Sequence, residues 1–310
     1  MARPKPLRLA SSADLAGIGG IALTTPLASL VPERSLPALA RLFAGAALRL
    51  APDLARAGAE EMRRRLGGEM SDPEAARLFR EHYRRRWEHL LGKMRDTAAG
   101  WHPEATLAGV EHLHGALERG RGAVLWGMSF CGHVVPKAAL RRAGFEVHHL
   151  SSPYHGGFSR TWLARRILNP WTLRSENRYL AGRSVLPRDG SLQYLLVLKQ
   201  RLLDNGCVSI AGEHIGRRNV TVVFLNGRAS FATGAASLAR ATGAALLTVY
   251  SCRRGPARYV TTVEPPIERV HGADRRTAVS GAVQEFAERL QRHVYEHPAD
   301  WDRWSARDPA

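Results

Sequence analysis

GRGAVLWGMSFCGHVVPKAAL, residues 120–140, is the most informative run in this chain. It opens on a turn flanked by Gly120 and Gly122 and enters a short apolar segment, Ala123 to Trp126. A short apolar run bounded by glycine reads as a buried strand. A small-residue loop with Ser129, Cys131, Gly132 and His133 follows, and a helical pattern starts near Val134 and Pro136. Proline is tolerated in a first helical turn, so the run reads strand, loop, helix. Its polar side chains then stand at the carboxyl end of the strand, where open α/β sheets place their ligands.

The same alternation recurs along the chain. Phe145–Leu150, Cys207–Ala211, Thr221–Leu225, Ala245–Ser251 and Tyr259–Val263 read as strands. Ala108–Gly122, Gly190–Leu203, Ser230–Ala241 and Arg275–Tyr295 read as helices. Asn205-Gly206 ends one helix as a left-handed cap would. Strands alternating with helical patterns predict a mixed, mostly parallel sheet with helices on both faces. Residues 71–310 form this α/β domain, preceded by an N-terminal helical segment, 1–70. The latter begins MARPKPLRLASSADLAGIGG, basic and then brokenly apolar. Asp14, several glycines and Pro26 make it too weak for a spanning helix, so it is expected to lie against a membrane. Leu36–Leu50, apolar on most sides, fits either a lipid contact or a core helix.

With 310 residues, of which 45% are hydrophobic and 24% charged, the chain has enough apolar material for one large domain. Its formal net charge is +17, from 45 Lys+Arg against 28 Asp+Glu. Such a surface favours an anionic membrane or an acidic protein. Nucleic acid is not expected as a partner, because no recognition module accompanies the charge. Neither G-x-G-x-x-G nor G-x-x-x-x-G-K-[ST] occurs, so no nucleotide cofactor is expected. The three cysteines, Cys131, Cys207 and Cys252, show no metal-ligand spacing, so no metal is expected either.

Several stretches, in this order, resemble the bacterial lipid A biosynthesis acyltransferase family, within the glycerolipid acyltransferase superfamily. They are residues 109–125 and 126–140, GEHIGRR (212–218), residues 220–254, and the ending HPADWDRW (297–304). The resemblance implies transfer of a fatty acyl group to a hydroxyl or amine of a lipid-like or specialised-metabolite acceptor. The donor it implies is acyl carrier protein or coenzyme A. It also implies a peripheral location on the cytoplasmic face of the inner membrane. The family's base is a histidine coupled to a carboxylate in H-x4-D/E; the carboxylate orients the ring while the ring takes a proton.

This chain departs from that pattern. Ser129 stands at the histidine position and Val134 at the carboxylate position. A shift of four makes His133 the base, but Ala138 then occupies the carboxylate position. The one formal H-x4-D, His297 to Asp302, lies in the tail and reads as coincidence. Three arrangements stay open. His133 works with a carboxylate from elsewhere, such as Glu213. Alternatively, Ser129 or Cys131 is an acyl-accepting nucleophile beside His133. In the third, the fold is kept only for binding a lipid or an acyl carrier. The resemblance further assigns Glu213, Arg217 and Arg218 to the polar head of a substrate, a task suited to the planar guanidinium fork. Arg253, just after a strand, is expected at the cleft, with Cys131 close to the substrate.

Overall fold

A computed structural model describes residues 9–67, 70–100, 103–152, 161–187, 191–213, 216–272 and 274–304. The segment around residue 123 forms strand β2 (Ala123–Gly127), with its first four residues buried. It lies between two parallel neighbours, β5 (Cys207–Ala211) and β8 (Ala245–Gly255); Ala123 stands opposite Cys207 on one side and Ala245 on the other. Four more strands extend the sheet: β1 (Glu104–Ala108), β3 (Val147–Ser151), β4 (Gly182–Val185) and β9 (Arg258–Val263). The strand order is β1-β9-β8-β2-β5-β3-β4. Every neighbouring pair is parallel except β8 with β9. This is the mixed, mostly parallel sheet that the alternating pattern predicts.

Both faces of the sheet are covered, and the period-two geometry of a strand shows why β2 reads as a continuous apolar run. Val124 and Trp126 face a core made with α8 (Gln193–Leu203), α9 (Gly234–Thr242) and α10 (Arg275–Glu296). There the Trp126 and Phe286 rings stack with centroids 4.1 Å apart. Ala123 and Leu125 face the opposite core, with α5 (Val110–Glu118) and α6 (Val134–Arg142). The turn into β2 requires glycine. Gly122 has φ 69°, and a Cβ there would meet the Leu202 carbonyl oxygen at 2.7 Å. Asn205, φ 59°, takes the left-handed cap position after α8 and accepts the Gly122 amide at 2.9 Å.

A separate two-stranded hairpin, β6 (Asn219–Phe224) and β7 (Gly227–Ala232), packs Phe224 and Phe231 against the α10 core. The sequence pattern assigns residues 230–232 to a helix. They pair instead with residues 219–221, and the helix begins only at Gly234.

The N-terminal helices α1 (Ser12–Leu30), α2 (Leu36–Leu50) and α3 (Pro52–Leu66) pack on the long helix α4 (Asp72–Ala98). Arg95 of α4 fastens the end of α1. Its Nη1 donates to the carbonyls of Ala28, Ser29 and Val31 at 2.8, 2.9 and 2.7 Å. Those carbonyls would otherwise be orphans of a helix end. α2 buries Leu36, Ala40 and Ala44, as a core helix would, and leaves Leu42 and Leu50 exposed. Among the described residues no helix is long and apolar enough to cross a membrane.

Candidate active site

Beyond Gly127 the chain runs through Met128–His133 into α6 and makes the loop at the sheet's carboxyl edge. Two successive residues adopt left-handed backbone, Cys131 at φ 54° and Gly132 at φ 73°. For cysteine that conformation is strained by of order 1 kcal/mol or more. The loop is held in it by the C-terminal segment, which folds back along it. Phe130 and Trp301 form an antiparallel bridge. The Cys131 amide donates to the Asp300 carbonyl at 3.0 Å, and the Asp302 amide donates to the Ser129 carbonyl at 2.8 Å. The Gly132 amide donates to Oδ2 of Asp302 at 2.8 Å.

Glu213 closes the loop from below. It follows β5, where the Gly212 amide donates to the Gly127 carbonyl at 2.8 Å. The Ser129 amide and the Trp301 indole N–H donate to its two carboxylate oxygens. Burial is the largest influence on this carboxyl and raises its proton affinity; the two donors work against that rise.

Between this loop and α4 lies an open cavity of about 470 Å³. α4 supplies one wall, with Trp87 and Leu90 apolar and Arg86 and Lys93 cationic. The loop supplies Ser129, Cys131, Gly132 and His133, and the C-terminal segment supplies Asp302 and Arg303. Burial lowers the Lys93 ammonium to about 8, and Arg183 adds repulsion. Burial likewise raises the Asp302 carboxyl from 3.8 to about 7, with Glu213 and Asp300 adding to the rise; the Gly132 amide and Arg86 oppose it. A smaller void of about 50 Å³ lies under α6, walled by Leu125, Leu140, Val147 and Ile210, and shares Ser129 and His133 with the larger one. Beside it Lys137 pairs in the interior with Glu176, which also meets Arg183 at 2.8 Å.

The structure therefore brings Ser129, Cys131, His133 and Glu213 into one neighbourhood. His133 is the exposed residue preceding α6. The Cys131 thiol is pushed well above its ordinary value by burial and by the Asp300 and Asp302 carboxylates, so it is poorly suited to be a thiolate nucleophile. Arg217 and Arg218 are exposed ahead of β6, and neither is among the described residues lining the cavity. Arg253, expected at the cleft, turns into the protein instead. It pairs with Glu88, donates to the Tyr259 hydroxyl at 3.0 Å and lies over the Tyr259 ring. The strand β8 runs on past Ser251 to Gly255, so residue 253 still stands inside the sheet. His214, next to Glu213 in the sequence and for that reason a neighbour of the expected site, falls outside the described residues.

Asp302 is the residue that the sequence reading set aside. The H-x4-D spacing flagged it, yet His297, at the end of α10, is not among the described residues lining the cavity with it. Arg86 belongs to the cluster Arg84-Arg85-Arg86, whose charges in the sequence fit either a phosphate contact or a solvated helix face, and it lines the cavity with Lys93. Among the described residues, no group of three His, Cys, Asp or Glu is placed to hold a metal ion.

The sequence profile of the bacterial lipid A biosynthesis acyltransferase family matches residues 80–304. The chain is 29% identical over 258 residues to a phosphatidylinositol mannoside acyltransferase of Mycobacterium tuberculosis (strain CDC 1551 / Oshkosh), covering 79% of this chain and 75% of that protein. It is 28% identical over 280 residues to a protein of the same name from Mycolicibacterium smegmatis, covering 86% and 85%.

Proposed function

The chain belongs to the bacterial lipid A biosynthesis acyltransferase family, and we propose that it transfers a fatty acyl group from a thioester donor to a hydroxyl of a phosphate-bearing glycolipid. The donor in this reading is acyl-coenzyme A or acyl carrier protein. The acceptor class follows from the mycobacterial relatives, whose name specifies phosphatidylinositol mannoside. The observation that carries the reading is the cavity at the carboxyl end of β2 and β5. An imidazole, a carboxyl and a serine hydroxyl share it with the cations of Arg86, Lys93 and Arg303. Guanidinium and ammonium groups suit the phosphate of either substrate. The apolar wall at Trp87 and Leu90 suits an alkyl chain. In this reading His133 lies against the reacting end of the substrate, while Ser129 and Glu213 fix the loop's shape.

α1 rests on lipid in the same proposal. Leu15, Ile18, Leu23, Leu27 and Leu30 are exposed along it. Trp162 and Ile167, exposed on the segment that α1 contacts, extend this surface, and the Leu163 amide donates to the Leu9 carbonyl at 3.0 Å. Apolar surface beside a strong positive charge favours an anionic interface.

The test supplies palmitoyl-coenzyme A and palmitoyl-acyl carrier protein in turn, with phosphatidylinositol mannoside in anionic vesicles, and detects the added acyl group by mass spectrometry. Product formation with one donor is expected. Donor binding without product would favour a lipid- or carrier-binding protein on this fold, a reading that Ser129 at the family's histidine position keeps in play.

A further inference from the structure

We propose that Asp302 is the proton acceptor for the attacking hydroxyl, a role taken over by the C-terminal segment from the loop that follows β2. The inference rests on the acyl-transfer reading above and adds a residue to it. Three observations support it.

First, the loop carries no coupled base of its own. In the register that the family resemblance implies, Ser129 and Val134 stand where its histidine and carboxylate are expected, and Ala138 follows His133 at the same interval. His133 therefore has no carboxylate partner at that interval on its own loop, and the C-terminal segment brings one into the same cavity.

Second, the C-terminal segment delivers a carboxylate to that place and fixes it. The bridge of Phe130 with Trp301 and the contact of the Asp302 amide with the Ser129 carbonyl set the backbone. The Gly132 amide then takes Oδ2. Among the described residues Oδ1 accepts no hydrogen bond, and Asp302 lines the cavity. One oxygen is anchored and the other is available, which is what a positioned base needs.

Third, the surroundings tune the carboxyl for proton exchange near neutrality. From α4 it faces Arg86, His89 and Lys93 across the cavity. Cys131 and His133 stand on the loop, Glu176 on the far wall and Arg303 beside it. Glu213 lies beneath the loop, and Asp300 lies two residues before it. Burial, with the Glu213 and Asp300 carboxylates adding to it, outweighs the Gly132 amide and the Arg86 guanidinium, so the group gives up its proton only at about 7. A base whose affinity lies near the working pH combines availability with driving force.

The step balances within the site. The acceptor oxygen attacks the thioester carbonyl carbon as the Asp302 carboxylate takes the hydroxyl proton. The new C–O bond forms, the C–S bond breaks, and the departing thiolate takes the proton back from Asp302. The products are an ester and a free thiol, and the carboxylate is regenerated.

The experiment measures acyl transfer from palmitoyl-coenzyme A or palmitoyl-acyl carrier protein to phosphatidylinositol mannoside between pH 5 and 9. It compares the natural protein with Asp302→Asn, His133→Gln and Arg86→Gln. Asp302→Asn is expected to lower kcat by about 10²–10⁴-fold, the usual contribution of a positioned general base, with donor KM little changed. It should also abolish the rise of kcat/KM through about pH 7, the value of the Asp302 carboxyl. That rise should survive His133→Gln. In Arg86→Gln it should move to higher pH, because the cation that favours the carboxylate is gone; this arm keeps the proposal testable if Asp302→Asn does not fold. Near-natural kcat in folded Asp302→Asn, or an unmoved profile in Arg86→Gln, overturns the proposal and leaves the acyl-transfer reading intact. No transfer by the natural protein from either donor overturns both.

Discussion

The indole N–H of Trp301 donates to the carboxylate of Glu213, so the segment that follows α10 and the end of β5 share one buried hydrogen bond beneath the loop that follows β2. The Ser129 amide supplies the second donor. Trp301→Phe keeps an aromatic side chain, though a smaller one, and removes the first donor. A buried acceptor deprived of its partner costs about 1–3 kcal/mol. Urea unfolding should show a loss of that size, and acyl transfer should fall with it because the loop loses its support. Unchanged stability would mean that water replaces the indole at no cost.

Asp302 gives stability a sign with pH. Its carboxyl holds a proton up to about 7 in the folded protein, against an ordinary value of 3.8. Between those values the folded state binds more protons than the unfolded chain, so this group's contribution declines as pH rises through the window. Natural protein should therefore lose stability relative to Asp302→Asn between about pH 4 and about pH 7. Denaturant titrations of both proteins at pH 5 and pH 8 measure the difference. A gap that stays constant, or opens the other way, would contradict the assignment.

Glu88 and Arg253 are both buried and paired, but their losses should not be equal. Glu88→Gln leaves the Arg253 cation in the interior without its countercharge, and such a change costs about 3–5 kcal/mol. Arg253→Met should cost less, because Glu88 keeps Arg84 at 3.1 Å. Since Arg253 faces inward, Arg253→Met should leave the KM of both substrates unchanged. A rise in KM with stability retained would return Arg253 to the ligand.

Gly212 lies where β5 passes under the α10 core. A Cβ there would collide with the Phe286 ring and stand 2.7 Å from the Trp126 Nε1. Gly212→Ala should destabilise by about 1–3 kcal/mol, the usual cost of overpacking. It should also weaken transfer, because the neighbouring residue is Glu213. Calorimetry alongside the transfer assay checks both.

The central sheet is legible in the sequence because β2 is buried on both faces and reads as an unbroken apolar run, while β5 and β8 are mostly apolar, broken by Ser209 in the one and first by Thr248 in the other. β1 and β4 stand at the sheet's two edges, and their mixed burial gives short, polar sequences without a clear period. β7 was hidden for another reason. Its GRASFA borders the small-residue helix α9, and only pairing with β6 distinguishes the two. At the candidate site, Ser129 and Glu213 are legible as positions just past β2 and β5, and His133 as the residue before α6. Asp302 was not, because its place depends on a bridge between residues 130 and 301 that no local pattern announces. Arg253 misled for a similar reason, since a strand boundary misjudged by a few residues exchanges a cleft position for an interior one.

The grip of Arg95 on the end of α1 reinforces the packing of α1 on α4 and fixes the orientation of one against the other. Nine residues before it on the same helix, Arg86 borders the cavity. At 1.5 Å per helical residue the two are separated by about 14 Å. With α1 settled on a bilayer, that rigid rod sets both the tilt and the height of the opening.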